Sequence, residues 1–209
     1  MKSKSWLVTG IIILILGVMA TSACIAPSNN TGIILNTNGT NVSIKSSSFL
    51  NNPPSQMMAD MEEKALTDIE NPNSTVGSVK SDMQAIAKNY NYTVNVTITS
   101  QFGTDQLPMP AQVSGTSMVP TLQDGQSIVV LKTKDYKVGD IVVATHPTYG
   151  MIVKRLSKIE GNRVYLTSDN KNVEVSTISL GNGAVETITK TPLKTWLPKD
   201  NIIGVVKIY

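Results

Sequence analysis

The amino-acid sequence predicts a mainly β fold, a sandwich or barrel-like domain, preceded by a small α+β extension and an N-terminal apolar segment. From about residue 106 the chain is a series of short runs of β-forming residues, and glycine-containing turns such as Gln123-Asp124-Gly125 separate them. The runs with helical spacing all lie before residue 90. Regular short strands with such turns are typical of all-β sandwiches and barrels.

The first segment, residues 1–26, has the features of a membrane anchor. Lys2 and Lys4 precede 6–26, an uncharged and mostly apolar stretch, and about 20 such residues are enough to cross a bilayer. No lysine follows before Lys45, so the positive-inside rule places the bulk of the chain outside the cytoplasm. We expect a retained anchor in contact with membrane lipid. A cleaved secretory signal and a lipoprotein signal ending at Cys24 are the alternatives.

Residues 27–105 are predicted to form a linker and a small α+β extension. Residues 27–55 lack periodicity and are rich in Asn, Ser and Thr, which favours an irregular linker. Apolar residues at helical spacing predict one helix over 55–69 and a second over about 78–89. Alternation from 92 to 98 predicts a half-buried strand.

Residues 106–209 are predicted to form the β domain. The expected strands are 127–132, 140–144, 150–159, 163–167, 184–190 and 202–209. The run Glu160-Gly161-Asn162-Arg163 between two of them predicts a β-hairpin.

Composition argues against several classes of function. The single cysteine excludes an intramolecular disulfide framework and a cysteine-based metal site, and the single histidine excludes histidine-rich zinc chemistry. The net charge of the 209 residues is +3 and is not clustered, so nothing in the charge pattern favours nucleic-acid binding. We therefore expect neither a metal ion nor a nucleic-acid partner.

Two segments of the β domain contain residues suited to nucleophilic chemistry. Ser117 lies in a glycine-containing run, and Lys154 lies 37 positions later in the apolar run Met-Ile-Val-Lys-Arg-Leu. A serine hydroxyl becomes an effective nucleophile when a neighbouring base removes its proton. Lysine with its ordinary pKa of roughly 10.4 is not that base at neutral pH, but burial lowers the value. Strand alternation places Lys154 between Ile152 and Leu156 on the core side, with Arg155 pointing away.

Five sequence blocks surround this Ser–Lys pair in a recognisable order. They are Ser-Gly-Thr-Ser-Met-Val-Pro-Thr-Leu (114–122), Val-Gly-Asp-Ile-Val-Val (138–143), Val-Lys-Arg-Leu (153–156), Ser-Asp-Asn (168–170) and Leu-Pro-Lys-Asp-Asn-Ile-Ile-Gly-Val-Val (197–206). In this order they resemble the signal peptidase I family of serine proteases and its wider LexA-like clan. The resemblance covers about the last 100 residues. It implies a Ser117 nucleophile, a Lys154 general base and no cofactor.

The resemblance also implies donors for the oxyanion of the tetrahedral intermediate. Gly115 and Thr116 let the backbone curl so that the Ser117 N–H points inward as one donor. In some bacterial members a serine two positions before the nucleophile supplies a second donor, but this chain has Gly115 there. Ser114 and Thr116 are the candidates for the second donor.

Other residues near the pair are candidates for substrate binding and site support. Met118, Met151 and Val153 are expected to line a shallow apolar substrate groove, with Met118 as an ordinary core residue as the alternative. Asp169 and Asn170 match the family's Gly-Asp-Asn block and are expected to support the site.

The chain departs from the family after this block, where it reads Lys-Asn-Val-Glu-Val over 171–175. The family hydroxyl that holds the lysine ammonium therefore has no clear equivalent, and Thr167 and Ser168 are the candidates. One branch of the family uses a histidine base, so His146 is an alternative base, although a solvated loop histidine is the default interpretation.

The leading hypothesis is a membrane-anchored serine endopeptidase that acts outside the cytoplasm and removes signal peptides from exported preproteins. Two other hypotheses remain open. A LexA-like self-cleaving protein shares the Ser–Lys pair, but such proteins carry an N-terminal DNA-binding domain where this chain has an apolar segment. A non-catalytic exported β domain that acts as a binding module is the other.

Overall fold

The structure is a computed structural model that describes residues 30–47, 52–179, 185–190 and 192–208. The expected membrane anchor at 6–26 lies outside the described residues, as does Cys24. Among the described helices, none combines the length and the apolar character that a membrane span requires.

Strands dominate the described chain, which confirms the prediction of a mainly β fold. The elements before residue 105 are β1 (Asn30–Thr37), β2 (Val42–Ser46), α1 (Ser55–Glu70), α2 (Val76–Asn89), β3 (Thr93–Ser100) and β4 (Gly103–Thr104). The later strands are β5 (Leu107–Gln112), β6 (Ser127–Lys132), β7 (Ile141–His146), β8 (Gly150–Glu160), β9 (Arg163–Thr167), β10 (Glu174–Ser179), β11 (Val185–Lys190), β12 (Lys194–Pro198) and β13 (Ile202–Ile208), with a 3-10 turn at Lys199–Asn201 before β13.

The first sheet belongs to the α+β extension and has the strand order β2-β1-β3-β4. Strand β1 pairs antiparallel with β2 and parallel with β3. Helices α1 and α2 cover one face of this sheet, because side chains at helical spacing pack on the alternate buried residues of the strands. This first core cluster includes Met57, Met61, Met83, Leu35 and Ile98.

Two strands occupy the segment expected to be an irregular linker, so that expectation is wrong for residues 30–46. The side chain of Asn38 forms the turn between β1 and β2, since its Oδ1 accepts hydrogen bonds from the backbone N–H groups of Thr40 and Asn41 at 3.0 and 2.8 Å. Asn and Thr are frequent in loops, and here they serve a hairpin turn and the polar face of a sheet. The parallel partner β3 lies far away in sequence, and although alternation predicts that strand, local periodicity does not show its pairing with β1.

The second sheet is seven-stranded, with the order β12-β9-β8-β7-β13-β6-β5 and antiparallel pairing between neighbours. Its strands bury residues on both faces. In β7, Ile141 and Val143 belong to one apolar cluster, while Val142 and Ala144 belong to another. The edge strand β5 carries Pro108 and Pro110, which suits an edge, because proline has no N–H for a second neighbour. Strands β10 and β11 form a separate two-stranded sheet.

Three parts of the second sheet define where chemistry can occur. The loop between β5 and β6 carries Ser117, the middle of β8 carries Lys154, and the segment after β9 carries Asp169 and Asn170. In the register of the sheet, Lys154 lies opposite Val142 of β7.

Candidate active site

Ser117 and Lys154 are in direct contact. The Lys154 Nζ atom lies 2.7 Å from the Ser117 Oγ atom and 2.8 Å from the backbone oxygen of Val153. Only 5% of the Lys154 surface is exposed, and the next core-facing residue of the strand, Leu156, is fully buried. The alternation of β8 therefore brings a lysine amine to a serine hydroxyl in a nearly dry environment.

The environment changes the acid–base properties of the lysine. Burial lowers the pKa of Lys154 from its ordinary value, because the ammonium form loses its hydration, and the negative charge of Asp169 opposes this effect. A lower pKa increases the fraction of neutral amine near neutral pH. A neutral amine has the lone pair that a base needs to take the serine proton.

The loop around Ser117 is a compact turn. Gly115 has a φ of +85°, in the left-handed region that glycine adopts without strain, and its N–H donates to Asp124 Oδ1 at 2.7 Å. The N–H of Val119 donates to the Thr116 oxygen at 3.1 Å, and that of Leu122 donates to the Met118 oxygen at 3.0 Å. These bonds hold the serine at the start of a tightly turned segment.

Asp169 connects β8 to this loop. Arg155 donates from Nε and Nη2 to the two Asp169 carboxylate oxygens at 2.7 and 2.5 Å, and Thr121 Oγ1 donates to Oδ2 at 2.6 Å. The hydrogen bonds from Arg155 lower the pKa of Asp169, which keeps it ionised. Arg155 also donates from Nη1 to the Gly139 oxygen at 2.7 Å. Its guanidinium thus points away from the core side of β8, as expected, and binds Asp169 in the segment after β9. This segment lies beside the loop between β5 and β6 that carries Ser117, the nucleophile loop.

Asn170 contacts the nucleophile loop at Ser117 itself. Its backbone N–H donates to the Ser117 oxygen at 3.0 Å, and its Nδ2 donates to the Thr116 oxygen at 3.1 Å. Asp169 and Asn170 therefore both lie against the loop that carries Ser117.

The three candidate groove residues have different environments. Met118 is fully buried in the apolar cluster that also contains Ile141 and Val143. This position corresponds to the core alternative and removes Met118 from contact with a bound peptide. Met151 is 53% exposed. Val153 is half-buried and packs on the same cluster as Met118. Met151 and Val153, on the strand that carries Lys154, therefore offer apolar side chains that are exposed or half-buried.

The candidate hydroxyl partners of the lysine bond elsewhere. Thr167 Oγ1 lies 2.7 Å from Ser157 Oγ, and Ser168 Oγ donates to the Leu193 oxygen at 3.4 Å. Ser114 and Thr116, the candidates for a second oxyanion donor, are both exposed on the loop.

His146 lies at the end of β7, away from the Ser–Lys pair. Its Nδ1 accepts from the backbone N–H groups of Thr148 and Tyr149 at 3.1 and 3.4 Å, and its ring stacks on Tyr149. These contacts are those of a residue that shapes the β7–β8 turn. Among the described residues, no group of three or more His, Cys, Asp or Glu side chains is arranged to hold a metal ion.

Sequence reasoning missed the role of Thr121 and underestimated Arg155. A threonine in a loop carries no signal for a distant carboxylate partner. The Asp169 partner of Arg155 lies 14 positions further along the chain, and nothing in the sequence spacing joins them.

A family model described as Peptidase S24-like matches residues 75–190, more than half of the chain. The chain belongs to the Peptidase S24-like family. The match supports a serine peptidase or LexA-like fold and includes Ser117, Lys154, Asp169 and Asn170. No curated protein matches this Peptidase S24-like chain.

Proposed function

We propose that this Peptidase S24-like protein is a serine endopeptidase with Ser117 as nucleophile and Lys154 as general base. The observation that carries the proposal is the 2.7 Å contact between Lys154 Nζ and Ser117 Oγ, made by a lysine whose pKa burial lowers. A structural lysine on this strand would extend its ammonium to water.

The geometry suggests a two-step acyl transfer. The Ser117 oxygen attacks the peptide carbonyl carbon while its proton moves to the neutral Lys154 amine. The carbon–nitrogen bond then breaks, and the Lys154 ammonium donates that proton to the departing amine. In the second step Lys154 takes a proton from water, and the resulting hydroxide attacks the acyl ester. The ester C–O bond then breaks, the Lys154 ammonium returns its proton to the Ser117 oxygen, and the carboxylic acid product leaves and ionises in water.

We further propose that the substrates are exported preproteins, cut after a small residue with another small residue two positions before it. Support comes from the resemblance of the sequence blocks to signal peptidase I and from the apolar side chains of Met151 and Val153 on the strand that carries the lysine. An apolar wall favours small uncharged side chains, because burial of a charged one without a partner is costly.

A set of otherwise identical preproteins tests the activity. With Ala, Leu, Phe or Lys before the cut, we expect the detergent-solubilised protein to cleave the Ala substrate fastest. Ser117→Ala and Lys154→Ala should each reduce cleavage at least about 10³-fold, because the two residues act as one unit. His146→Ala should retain activity. Equal rates for all four substrates would refute the signal peptidase assignment, and an active Lys154→Ala variant would refute the base.

Self-cleavage is a second candidate, which the family match favours, since the match fits a LexA-like self-cleaving protein as well as a peptidase. The two differ in concentration dependence. Self-cleavage within one chain proceeds at a rate independent of protein concentration and leaves added preprotein intact. If the folded protein cleaves neither its own chain nor the added preprotein, the result favours the binding-module hypothesis.

We also propose that residues 6–26 anchor the protein in the membrane with residues 27–209 outside the cytoplasm. Support comes from Lys2 and Lys4 before the apolar stretch. Protease added to intact cells should remove a C-terminal epitope tag. A tag that is digested only after lysis would contradict this orientation.

A further inference from the structure

One residue, Asn170, holds both peptide groups that flank the proposed nucleophile. Its side-chain Nδ2 donates to the oxygen of Thr116, in the peptide group before Ser117, at 3.1 Å. Its backbone N–H donates to the oxygen of Ser117, in the peptide group after it, at 3.0 Å. The orientation of Ser117 relative to the rest of the site therefore depends on two hydrogen bonds from one neighbour.

The neighbouring contacts fix Asn170 itself. Its Oδ1 accepts the backbone N–H of Asn172 at 2.9 Å, so the NH₂ group is the end of the amide that faces Thr116. The preceding residue, Asp169, is held by Arg155 and by Thr121. Thr121 belongs to the same loop as Ser117. Residues 169 and 170 therefore bind this loop at two places, at Thr121 and at Thr116–Ser117.

The bond to Thr116 has a consequence for the N–H of Ser117. The Thr116–Ser117 peptide is trans and planar, so its C=O and N–H groups point in opposite directions. A donor that fixes the Thr116 oxygen therefore also fixes the direction of the Ser117 N–H. Among the described residues, this N–H has no hydrogen-bond acceptor, so it is available to a substrate oxygen.

We infer that Asn170 is a positioning residue that aims the Ser117 N–H at the oxyanion of the tetrahedral intermediate. This inference rests on the proposed peptidase function. Donors that are already aligned stabilise the developing negative charge without reorganisation in the transition state. Asn170 acts through the backbone and does not touch the substrate.

A peptide aldehyde with alanine at its reactive end reports on this donor. The Ser117 oxygen forms a bond to the aldehyde carbon, the C=O π electrons move to the oxygen, and the serine proton passes to Lys154. The adduct keeps an anionic oxygen where the oxyanion of the reaction forms. Its affinity therefore measures oxyanion stabilisation, whereas the KM for the substrate depends on groove contacts.

The test uses full-length protein carrying Asn170→Ala or Asn170→Asp. Both substitutions keep the backbone bond to Ser117 and remove the Nδ2 donor, and the isosteric Asp also preserves packing. We expect kcat to fall about 10- to 100-fold, somewhat less than the roughly 10²–10³-fold loss from deleting a donor outright. Affinity for the aldehyde should fall by a similar factor in both variants, while KM stays unchanged. The midpoint of the pH profile should stay in place in Asn170→Ala, whereas the added carboxylate of Asn170→Asp, beside the Ser–Lys pair, should move it to higher pH. The exposed residue Asn89 supplies the control, since Asn89→Ala should alter none of these quantities.

The outcomes separate this inference from the proposed function. Unchanged kcat and aldehyde affinity in both Asn170 variants would overturn the positioning role. The peptidase function would still be supported in that case if the wild type cleaves the substrate and Ser117→Ala does not. If KM rises while kcat and thermal stability fall in both variants, Asn170 is a structural residue. That result would also overturn the positioning role. Wild-type protein that neither cleaves nor binds the aldehyde would refute the peptidase itself, and the positioning role with it.

Discussion

At the scale of single residues, the properties of the site depend on two opposing influences on Lys154. Burial favours the neutral amine, and the charge of Asp169 favours the ammonium. Arg155 neutralises much of the Asp169 charge through a two-point contact. The lysine is therefore close to a carboxylate without forming an ion pair with it, and the effect of burial prevails.

The substitution Asp169→Asn tests this balance. It removes a negative charge that raises the pKa of Lys154 and leaves the positive charge of Arg155 without compensation. Both changes lower the lysine pKa further, so the rise of kcat/KM with pH should move to lower pH even if the maximal rate falls. Asp135→Asn removes the same charge at an exposed position and should leave the profile in place. A shift to higher pH would contradict the assignment of Lys154 as the titrating base.

The sequence predicted these residues to different extents. Strand alternation, a local feature, predicts the burial of Lys154, and the resemblance of the sequence blocks to a known family implies its pairing with Ser117. The burial of Met118 and the contact of Thr121 with Asp169 depend on how separate loops meet. Local sequence patterns carry no information about contacts between separate loops. For this reason the sequence could not decide whether Met118 lines the groove or belongs to the core.

At the scale of elements, strand β13 connects the two parts of the second sheet, because it pairs with β7 on one side and with β6 on the other. Its pairing with β7 is irregular between Ile202 and Gly204. On its other side, β13 comes very close to the backbone of β6 at Gly204. A Cβ atom at Gly204 would lie 2.1 Å from the backbone oxygen of Leu131, far inside van der Waals contact. Only glycine fits this position.

We therefore predict that Gly204→Ala destabilises the protein by roughly 3 kcal/mol or more, since the clash is with backbone and the strands must separate. Gly77→Ala is the matched control in helix α2, where the nearest heavy atom would be 3.8 Å away. Alanine favours helix over glycine by about 0.5–1 kcal/mol, so stability should stay equal or increase. Urea unfolding of both variants measures the difference. A Gly204→Ala protein as stable as wild type would refute the close approach.

Two of the strands missed from sequence, β5 and β12, share a physical cause. Strand β5 contains two prolines and β12 begins after a region without clear alternation, so their assignment depends on partners supplied by β6 and β9. By contrast, the predicted helices and the strands β6 to β9 carry their own periodicity and agree with the structure within a few residues. Where the periodicity of a segment is strong, the propensity of its residues is sufficient to predict the element. Where the periodicity is weak, pairing with a neighbouring strand decides whether the segment becomes a strand.

At the scale of the whole molecule, Lys132 joins the extension to the second sheet. It ends β6, and its Nζ donates to the backbone oxygens of Asp68 and Asn71 at the C-terminal end of α1. A cation there complements the partial negative charge of the helix end. The same contact removes the amine from water, and burial lowers the pKa of Lys132 to about 8, with Asp68 opposing the change.

This junction should make stability depend on pH in a specific window. The pKa of Lys132 is about 8 in the folded protein and near its ordinary value of 10.5 in the unfolded chain. Below pH 8 both states are protonated, so Lys132 adds no pH dependence. Between these values the unfolded state binds more protons, so the free energy of unfolding should rise with pH.

The variant Lys132→Met isolates this contribution, because Lys154 and all other groups titrate alike in both proteins. From pH 8 to 10.5, the full-length wild type in detergent should gain about 1–2 kcal/mol relative to the variant, a value reduced for the partial exposure of the side chain. Urea unfolding across this range measures the two curves. Parallel curves would mean that the carbonyl groups of Asp68 and Asn71 hold Lys132 in its charged form, and that the junction is a helix cap without a titration of its own. Curves that diverge only above pH 8 would identify Lys132 as the group that couples the docking of α1 on β6 to pH.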